Sequence, residues 1–411
     1  MKNSTEYKII GFYILGLILL LGTIQVLFVP QLFSEQNLLN WDAIHYFSIS
    51  KKGYDSSFIV AFFPLFPMIW KFLHLGIYGI VFFNAILFLI SFSALVKTMH
   101  LRREELLLFL SVPSFLFFYL PYSEAVFFAS SVLLLVSIQK KRFWMVLFGL
   151  FLCSMARPSF TVLLPALLIM ELFSEVLNWQ LVKRCLAYVF TSFFGLLLVG
   201  IYQYYFQRQE WFTFFSAQKM WGNELRVPAF PLTSWGGGLA TKIDAFALLI
   251  GILSGLTLLL FFVKSSRVKK ITIPKEVVLS LAYLAGISLT VVFFRGGSLF
   301  SLNRFVFACP FVLVGLNFYL KQTISFNWKT IGSILILLII YGLLFGSYVH
   351  IQVFLKYFAL ALYMLLLFGM KSHKEGVRRF SLYSFIALNF FFQIFLYCYF
   401  LMTNEGGGFV A

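Results

Sequence analysis

The feature that most constrains this chain is a succession of apolar runs about 20 residues long, such as Ile9 to Val29 and Gly76 to Val96. Each is long enough for a helix to cross the hydrocarbon core of a bilayer. Of the 411 residues, 61% are hydrophobic and 11% charged, and the mean hydropathy is +0.93. A soluble domain carries about 25% charge. No aqueous fold has an interior large enough for that much apolar side chain, so the bilayer must act as the solvent. Hydrocarbon offers backbone groups no partner, so the spanning elements must be helices. The predicted fold is therefore all-α, a polytopic transmembrane helix bundle forming one domain over residues 1–411.

Apolar periods and polar breaks place thirteen candidate spans near 9–29, 76–97, 104–119, 122–138, 141–155, 158–174, 183–206, 243–263, 275–294, 303–320, 329–347, 350–370 and 380–402. Eleven spans plus two re-entrant pieces fit the pattern as well, so the expected count is 11 to 13. The formal charge of +17 would suggest nucleic acid in a soluble protein. Here the basic residues sit in short runs between apolar segments, among them Lys140-Lys141-Arg142 and Arg378-Arg379. With the N-terminus cytoplasmic, most of the 32 basic residues fall in inner loops, which is the positive-inside pattern and excludes nucleic acid as a partner. The first apolar run is too long for a signal-peptide core and reads as a retained anchor.

Two outer segments, about 30–75 and 207–242, are too long to be turns, and both are rich in Trp, Phe and Tyr. Short amphipathic helices lying in the interface are expected there, on the working face. The 55 phenylalanines read as lipid-facing bulk and compositional bias. Cys153, Cys185, Cys309 and Cys398 are scattered, with neither disulfide nor metal-ligand spacing. The spans from 104 to 174 are short and joined by proline-bearing turns, as cavity-lining segments often are.

The first outer segment carries Asn40-Trp41-Asp42-Ala43-Ile44-His45-Tyr46, then Lys51-Lys52-Gly53-Tyr54, then Ala61-Phe62-Phe63-Pro64-Leu65-Phe66-Pro67. If Trp41 to Ser50 is helical, Asp42, His45 and Tyr46 share one face. A carboxylate beside an imidazole can take the proton of an attacking hydroxyl and hold an anionic leaving group. The alternative is that Asp42 caps a short helix. Glu124 lies just inside a short span after Pro121, a costly depth for a carboxylate, although a first-turn helix acid is also favoured by the dipole. Arg157, Arg295 and Arg304 supply cations on the outer side, with Lys219 and Arg226 in the second long segment, unless they only snorkel. Gly236 to Gly238 and the Arg295-Gly296-Gly297-Ser298 turn are either anion-binding nests or plain turns. The chain has no Asp-x-Asp, Walker loop or dinucleotide fingerprint.

These motifs, above all the block from Trp41 to Pro67, resemble the first luminal loop of the PIG-V family, which includes GPI mannosyltransferase II. The resemblance extends more softly to Pro121-Tyr122-Ser123-Glu124, Ala156-Arg157-Pro158-Ser159 and Asn303-Arg304-Phe305. It implies a GT-C-like fold and an inverting transfer of mannose, or a related hexose, from a polyprenyl-phosphate-linked donor to a glycan or glycolipid acceptor. In that reading Asp42 is the base, with His45 and Glu124 beside it. Arg157, Arg304 and Arg295 take the donor phosphate, and Trp41, Tyr46, Tyr54, Phe63 and Pro64 form a substrate loop. The departing group is a phosphate monoester, which fixed cations can stabilise, so no metal or other cofactor is expected. The membrane is the inner membrane of a prokaryote or the endoplasmic reticulum of a eukaryote. The rival class is a transporter or flippase of a lipid-linked glycan. That class more often shows internal repeats and polar residues at mid-membrane depth, whereas here no repeat is evident and the polar residues gather at the outer rim.

Overall fold

The computed structural model describes residues 2–158, 160–174, 178–207, 211–234, 239–267, 273–322, 328–345 and 351–402. Those residues are overwhelmingly helical. They form no strand, and the one bridge, Thr233 with Ser298, is isolated. Helix α1 is Lys2–Leu27. The first long segment folds into α2 (Glu35–Leu38), α3 (Asp42–Lys52), a 3-10 turn at Phe58–Ala61 and α4 (Leu65–Leu73). Helices α5 (Ile77–Met99), α6 (Arg103–Leu110), a 3-10 stretch at Pro113–Tyr119 and α7 (Glu124–Gln139) follow. Next come α8 (Phe143–Ala156), α9 (Phe160–Ser174) and α10 (Trp179–Gln207), then α11 (Phe214–Met220) within the second long segment. Helices α12 (Leu239–Arg267), α13 (Lys275–Phe294), α14 (Leu302–Phe307), α15 (Pro310–Lys321), α16 (Trp328–Phe345), α17 (Ile351–Gly369) and α18 (Glu375–Met402) complete the bundle.

The chain is a multi-pass membrane protein, and its helices bear in part on the 11 to 13 spans expected. Among the described residues six helices are long and apolar enough to cross a bilayer, or seven if one bent pair counts as a span: Lys8–Leu27, Ile77–Met99, Trp179–Phe206, Ile243–Val263, Lys275–Phe294 and Glu375–Met402. Other expected spans correspond to shorter apolar helices, such as Phe143–Ala156 and Pro310–Lys321, to broken segments, or to α16 and α17, which run for 18 and 19 residues.

The largest break lies where spans near 104–119 and 122–138 were expected. The stretch Pro113–Tyr119 and helix α7 meet at 107°. Carbonyls freed by the break find protein partners, as hydrocarbon requires. Asn84 Nδ2 donates to the carbonyls of Leu120 at 2.7 Å and Tyr122 at 2.9 Å. Gln393 Nε2 donates to those of Leu110 and Val112, and the Tyr397 hydroxyl to that of Tyr119. Gln393 is itself held by the Tyr13 hydroxyl at 2.6 Å. Replacing Asn84 or Gln393 by an apolar residue would orphan these carbonyls.

Phenylalanine is not mainly lipid-facing bulk around this break. Phe88 stacks on Phe118 with centroids 4.2 Å apart and meets Phe115 and Phe128 edge-on, and all four rings are buried. Other phenylalanines, including Phe12, Phe82 and Phe190, do face outward. With no hydrophobic gain between helices in lipid, such interlocking packing is what holds a broken segment in place.

Candidate functional site

Helix α3 begins where the sequence expects it, and it aims Asp42 inward. The residue before it, Trp41, has φ of 55°, uncommon for a bulky side chain and costing about 1–3 kcal/mol. No side-chain cap bond closes the start of α3, and Asp42 Oδ2 instead accepts from Arg304 Nη1 at 2.5 Å. The helix-cap reading of Asp42 therefore fails on geometry. At its other end α3 stops at Gly53, where φ is +77° and a Cβ would meet the Phe206 ring at 2.3 Å, so only glycine fits.

Arg304 lies on α14, which also opens on a positive-φ residue, Ser301 at 64°. Asp244 fixes this short helix. Its Oδ1 accepts from the Asn303 backbone N at 2.9 Å and from Nδ2 at 2.8 Å, and its Oδ2 from the Ser234 hydroxyl at 2.6 Å. Asn303 also receives the Ser114 hydroxyl. So braced, Arg304 donates through Nε to Glu124 Oε1 and through Nη1 to Asp42, and its guanidinium lies over Phe117 and Tyr122. Burial alone would pull the guanidinium down, but Glu124 and Asp42 hold it well above its ordinary value.

Glu124, the first residue of α7, also pairs with Arg157 Nη1 at 3.0 Å. Arg157, the residue after α8, lies over the Phe305 ring at 5.0 Å. Four residues from distant parts of the chain, Asp42, Glu124, Arg157 and Arg304, thus form one cluster of two carboxylates and two guanidiniums. Its members differ in access. The Glu124 side chain is 0% exposed and its Oε2 is buried without a hydrogen-bond partner among the described residues, whereas the Asp42 side chain is 20% exposed. Asp42 is the carboxylate that a hydroxyl from outside can reach.

His45 follows Asp42 on α3 but turns into an aromatic nest, with ring centroids 4.9 Å from Phe62 and 5.8 Å from both Phe58 and Trp221. No hydrogen bond or ion pair joins it to Asp42 among the described residues. Burial lowers its pKa, against the pull of the Asp42 charge. Trp221 comes from the second long segment and donates its indole N–H to the Phe58 carbonyl at 2.9 Å. The two long segments therefore meet over the site, as Phe63 against Phe214 at 4.8 Å also shows.

Tyr46 is buried and its hydroxyl is 2.8 Å from the Ser123 hydroxyl, beside Glu124. Tyr54 donates to the Phe62 carbonyl at 2.6 Å, Phe63 is buried, and Pro64 precedes α4. Tyr54, Phe63 and Pro64 act as framework for the loop, and of the aromatic pair around Asp42 only Trp41 is partly exposed. Arg295 stands at the rim, donating through Nε to Asn223 at 3.0 Å and through Nη1 to the Phe300 carbonyl. Burial pulls its guanidinium down to about 10, where it remains cationic at neutral pH.

Sequence reasoning missed the grip of Asp244 on Asn303, as it missed Ser114 and Ser234. A carboxylate at the start of a predicted span was the available signal. Gly236 to Gly238, Ser159 and Glu210 lie outside the described residues. Among the described residues no three His, Cys, Asp or Glu side chains gather so as to hold a metal ion. Comparison of the chain with family models, with curated proteins and with solved structures gives no match.

Proposed function

We propose that this protein is an inverting, GT-C-like glycosyltransferase of the PIG-V type, moving mannose or a related hexose from a polyprenyl-phosphate donor to a lipid-linked or surface glycan. The cluster end of the bundle faces away from the cytoplasm in this reading, with the N-terminus inside. The observation that carries it is the convergence of Asp42, Glu124, Arg157 and Arg304, each nominated by its sequence context, from four separate segments into one braced cluster.

The chemistry follows from the roles these groups can fill. Asp42 takes the proton of the acceptor hydroxyl as that oxygen attacks the anomeric carbon from the face opposite the phosphate. The bond from the anomeric carbon to the phosphate oxygen breaks, and polyprenyl phosphate leaves with the electron pair. Arg304, committed to both carboxylates, is a positioning residue that keeps Asp42 ionised and aimed. Arg157 and Arg295, nearer the rim, meet the leaving phosphate, where charge-assisted hydrogen bonds count most. His45, kept neutral by burial, shapes the aromatic wall beside the acceptor.

The test is purified full-length protein given radiolabelled polyprenyl-phosphate mannose and candidate glycolipid acceptors, with and without excess EDTA. Labelled product that forms equally in EDTA supports the reading. Activity lost in EDTA and restored by Mg²⁺ or Mn²⁺ would make Asp42 and His45 part of a metal site. No product, with labelled donor crossing the bilayer, would replace transfer by transport.

A further inference from the structure

At the end of the bundle opposite the Asp42 cluster, the start of α6, the end of α15 and the turn between α17 and α18 enclose a cleft of about 310 Å³. Its wall is basic. Arg102, Lys321, Lys371, Arg378 and Arg379 line it, against Glu104 and Glu105. Two of these cations have carboxylate partners, Arg102 with Glu105 at 2.6 Å and Arg379 with Glu375 at 2.6 Å. Lys321, Lys371 and Arg378 have none among the described ion pairs.

Positive charge at a loop end satisfies the positive-inside pattern with no ligand at all, and such charges normally lie in water. Lys371 does not. It is 7% exposed, its ammonium donates to the Gln322 carbonyl at 2.5 Å, and it lies 4.6 Å over the Tyr319 ring. Lys321 likewise donates to the carbonyl of Met99, the last residue of α5, at 3.4 Å. Each lysine thus closes a helix C-terminus with one of its three N–H groups and leaves the others for the cleft. An ammonium held back from water is costly, and an anion in the cleft beyond Glu104 and Glu105 would offset that cost. Burial accordingly pulls the Lys371 amine down to about 8.

The floor of the cleft is apolar, formed by Leu320, Met370 and Leu382. Beside Arg378 and Arg379 on α18, Val377 and Phe380 are exposed. A phosphate above, an apolar floor below and exposed apolar side chains alongside match a headgroup whose acyl chains run down a membrane helix. We propose that this cleft binds the phosphodiester headgroup of an anionic glycerophospholipid from the leaflet at that end, with Lys371 and Arg378 as its principal contacts. The site is separate from the transfer chemistry and does not depend on it.

The experiment uses full-length protein in phosphatidylcholine nanodiscs containing a minority of phosphatidylglycerol, with lipid retained on the released protein measured by native mass spectrometry. Wild type should retain phosphatidylglycerol in preference to phosphatidylcholine. Lys371→Gln with Arg378→Gln should lower that preference roughly tenfold or more, since each basic group near a charged membrane surface is worth a several-fold change in affinity. Lys140→Gln with Lys141→Gln, which removes two charges in the α7–α8 turn, should leave it unchanged. An equal fall in both double variants, or no preference in wild type, would overturn the site in favour of a diffuse basic field. Displacement of the lipid by inorganic phosphate at comparable concentration would overturn the lipid and leave a soluble-phosphate site. Arg378→Gln alone, on a half-buried side chain, gives the same reading should the double variant not fold.

Discussion

Two buried glutamates, Glu124 and Glu171, sit near opposite ends of the bundle, and each is surrounded by basic side chains. Glu171, near the end of α9, accepts the Tyr188 hydroxyl at 2.9 Å on Oε1, and Arg184 and Lys275, both at 3.1 Å, on Oε2. Both of its oxygens are satisfied, and its two cations are 24% and 33% exposed, so they reach water. That arrangement ties α9, α10 and α13 together and satisfies both carboxylate oxygens. Around Glu124 the cations are 4% and 11% exposed, a second carboxylate is drawn in, and one oxygen is left without a partner. The same residue types satisfy both carboxylate oxygens in one place and leave one without a partner, beside the positive-φ Trp41 and Ser301, in the other. Positive-φ residues beside a buried charge cluster are what motivates the functional reading of it.

The contrast is sharpest at Arg304. Arg304→Ala leaves the buried Glu124 with Arg157 and takes away the ion-pair partner of Asp42. Removing one partner from such a network costs about 3–5 kcal/mol. Both thermal stability in detergent and transfer activity should fall steeply, and a variant with wild-type stability would show that the cluster is not a coupled unit. Asp42→Asn should separate the two quantities. The side chain keeps its shape, so the melting temperature should hold while turnover drops by about 10² to 10⁴, as loss of a general base typically gives. Unchanged turnover would pass the role of base to Glu124.

Glu171→Gln should show the reverse. Its cations can turn to water, so the expected cost is about 1–3 kcal/mol of stability, read as a lower melting temperature, with activity per folded molecule near wild type. Loss of turnover in folded Glu171→Gln would erase the distinction between the clusters. The smallest effect concerns His45. Burial depresses its folded pKa below the unfolded value of 6.5, so the folded state binds fewer protons than the unfolded chain over that interval. Its contribution to stability should be flat above pH 6.5 and diminish as pH falls through the depressed folded value. His45→Gln should remove that part of the pH dependence when melting is followed across mildly acidic pH.

Much of the site was legible because membranes make polar residues expensive. Glu124 stood out by depth, Arg157 and Arg304 by position at span ends, and Asp42 by its place in an aromatic segment of unusual length. The helix around Asp42 was legible only as a condition, from the spacing of Asp42, His45 and Tyr46 between Trp41 and Ser50. What the sequence hid was partnership. Nothing in the order of residues says that Arg304 reaches Asp42 across 262 positions or that Asp244 holds Asn303 in place. The same limit applied to the fold. Asn84 and Gln393 were visible as polar residues inside apolar runs, but only the break between α6 and α7 explains them.

The most direct test of the account compares Asp42→Asn and Glu171→Gln side by side in the polyprenyl-phosphate mannose transfer assay, with each purified variant normalised to its folded fraction. The account predicts that Asp42→Asn loses at least about a hundredfold in turnover at an unchanged melting temperature, while Glu171→Gln melts earlier and keeps its turnover. Equal turnover in the two variants would contradict it.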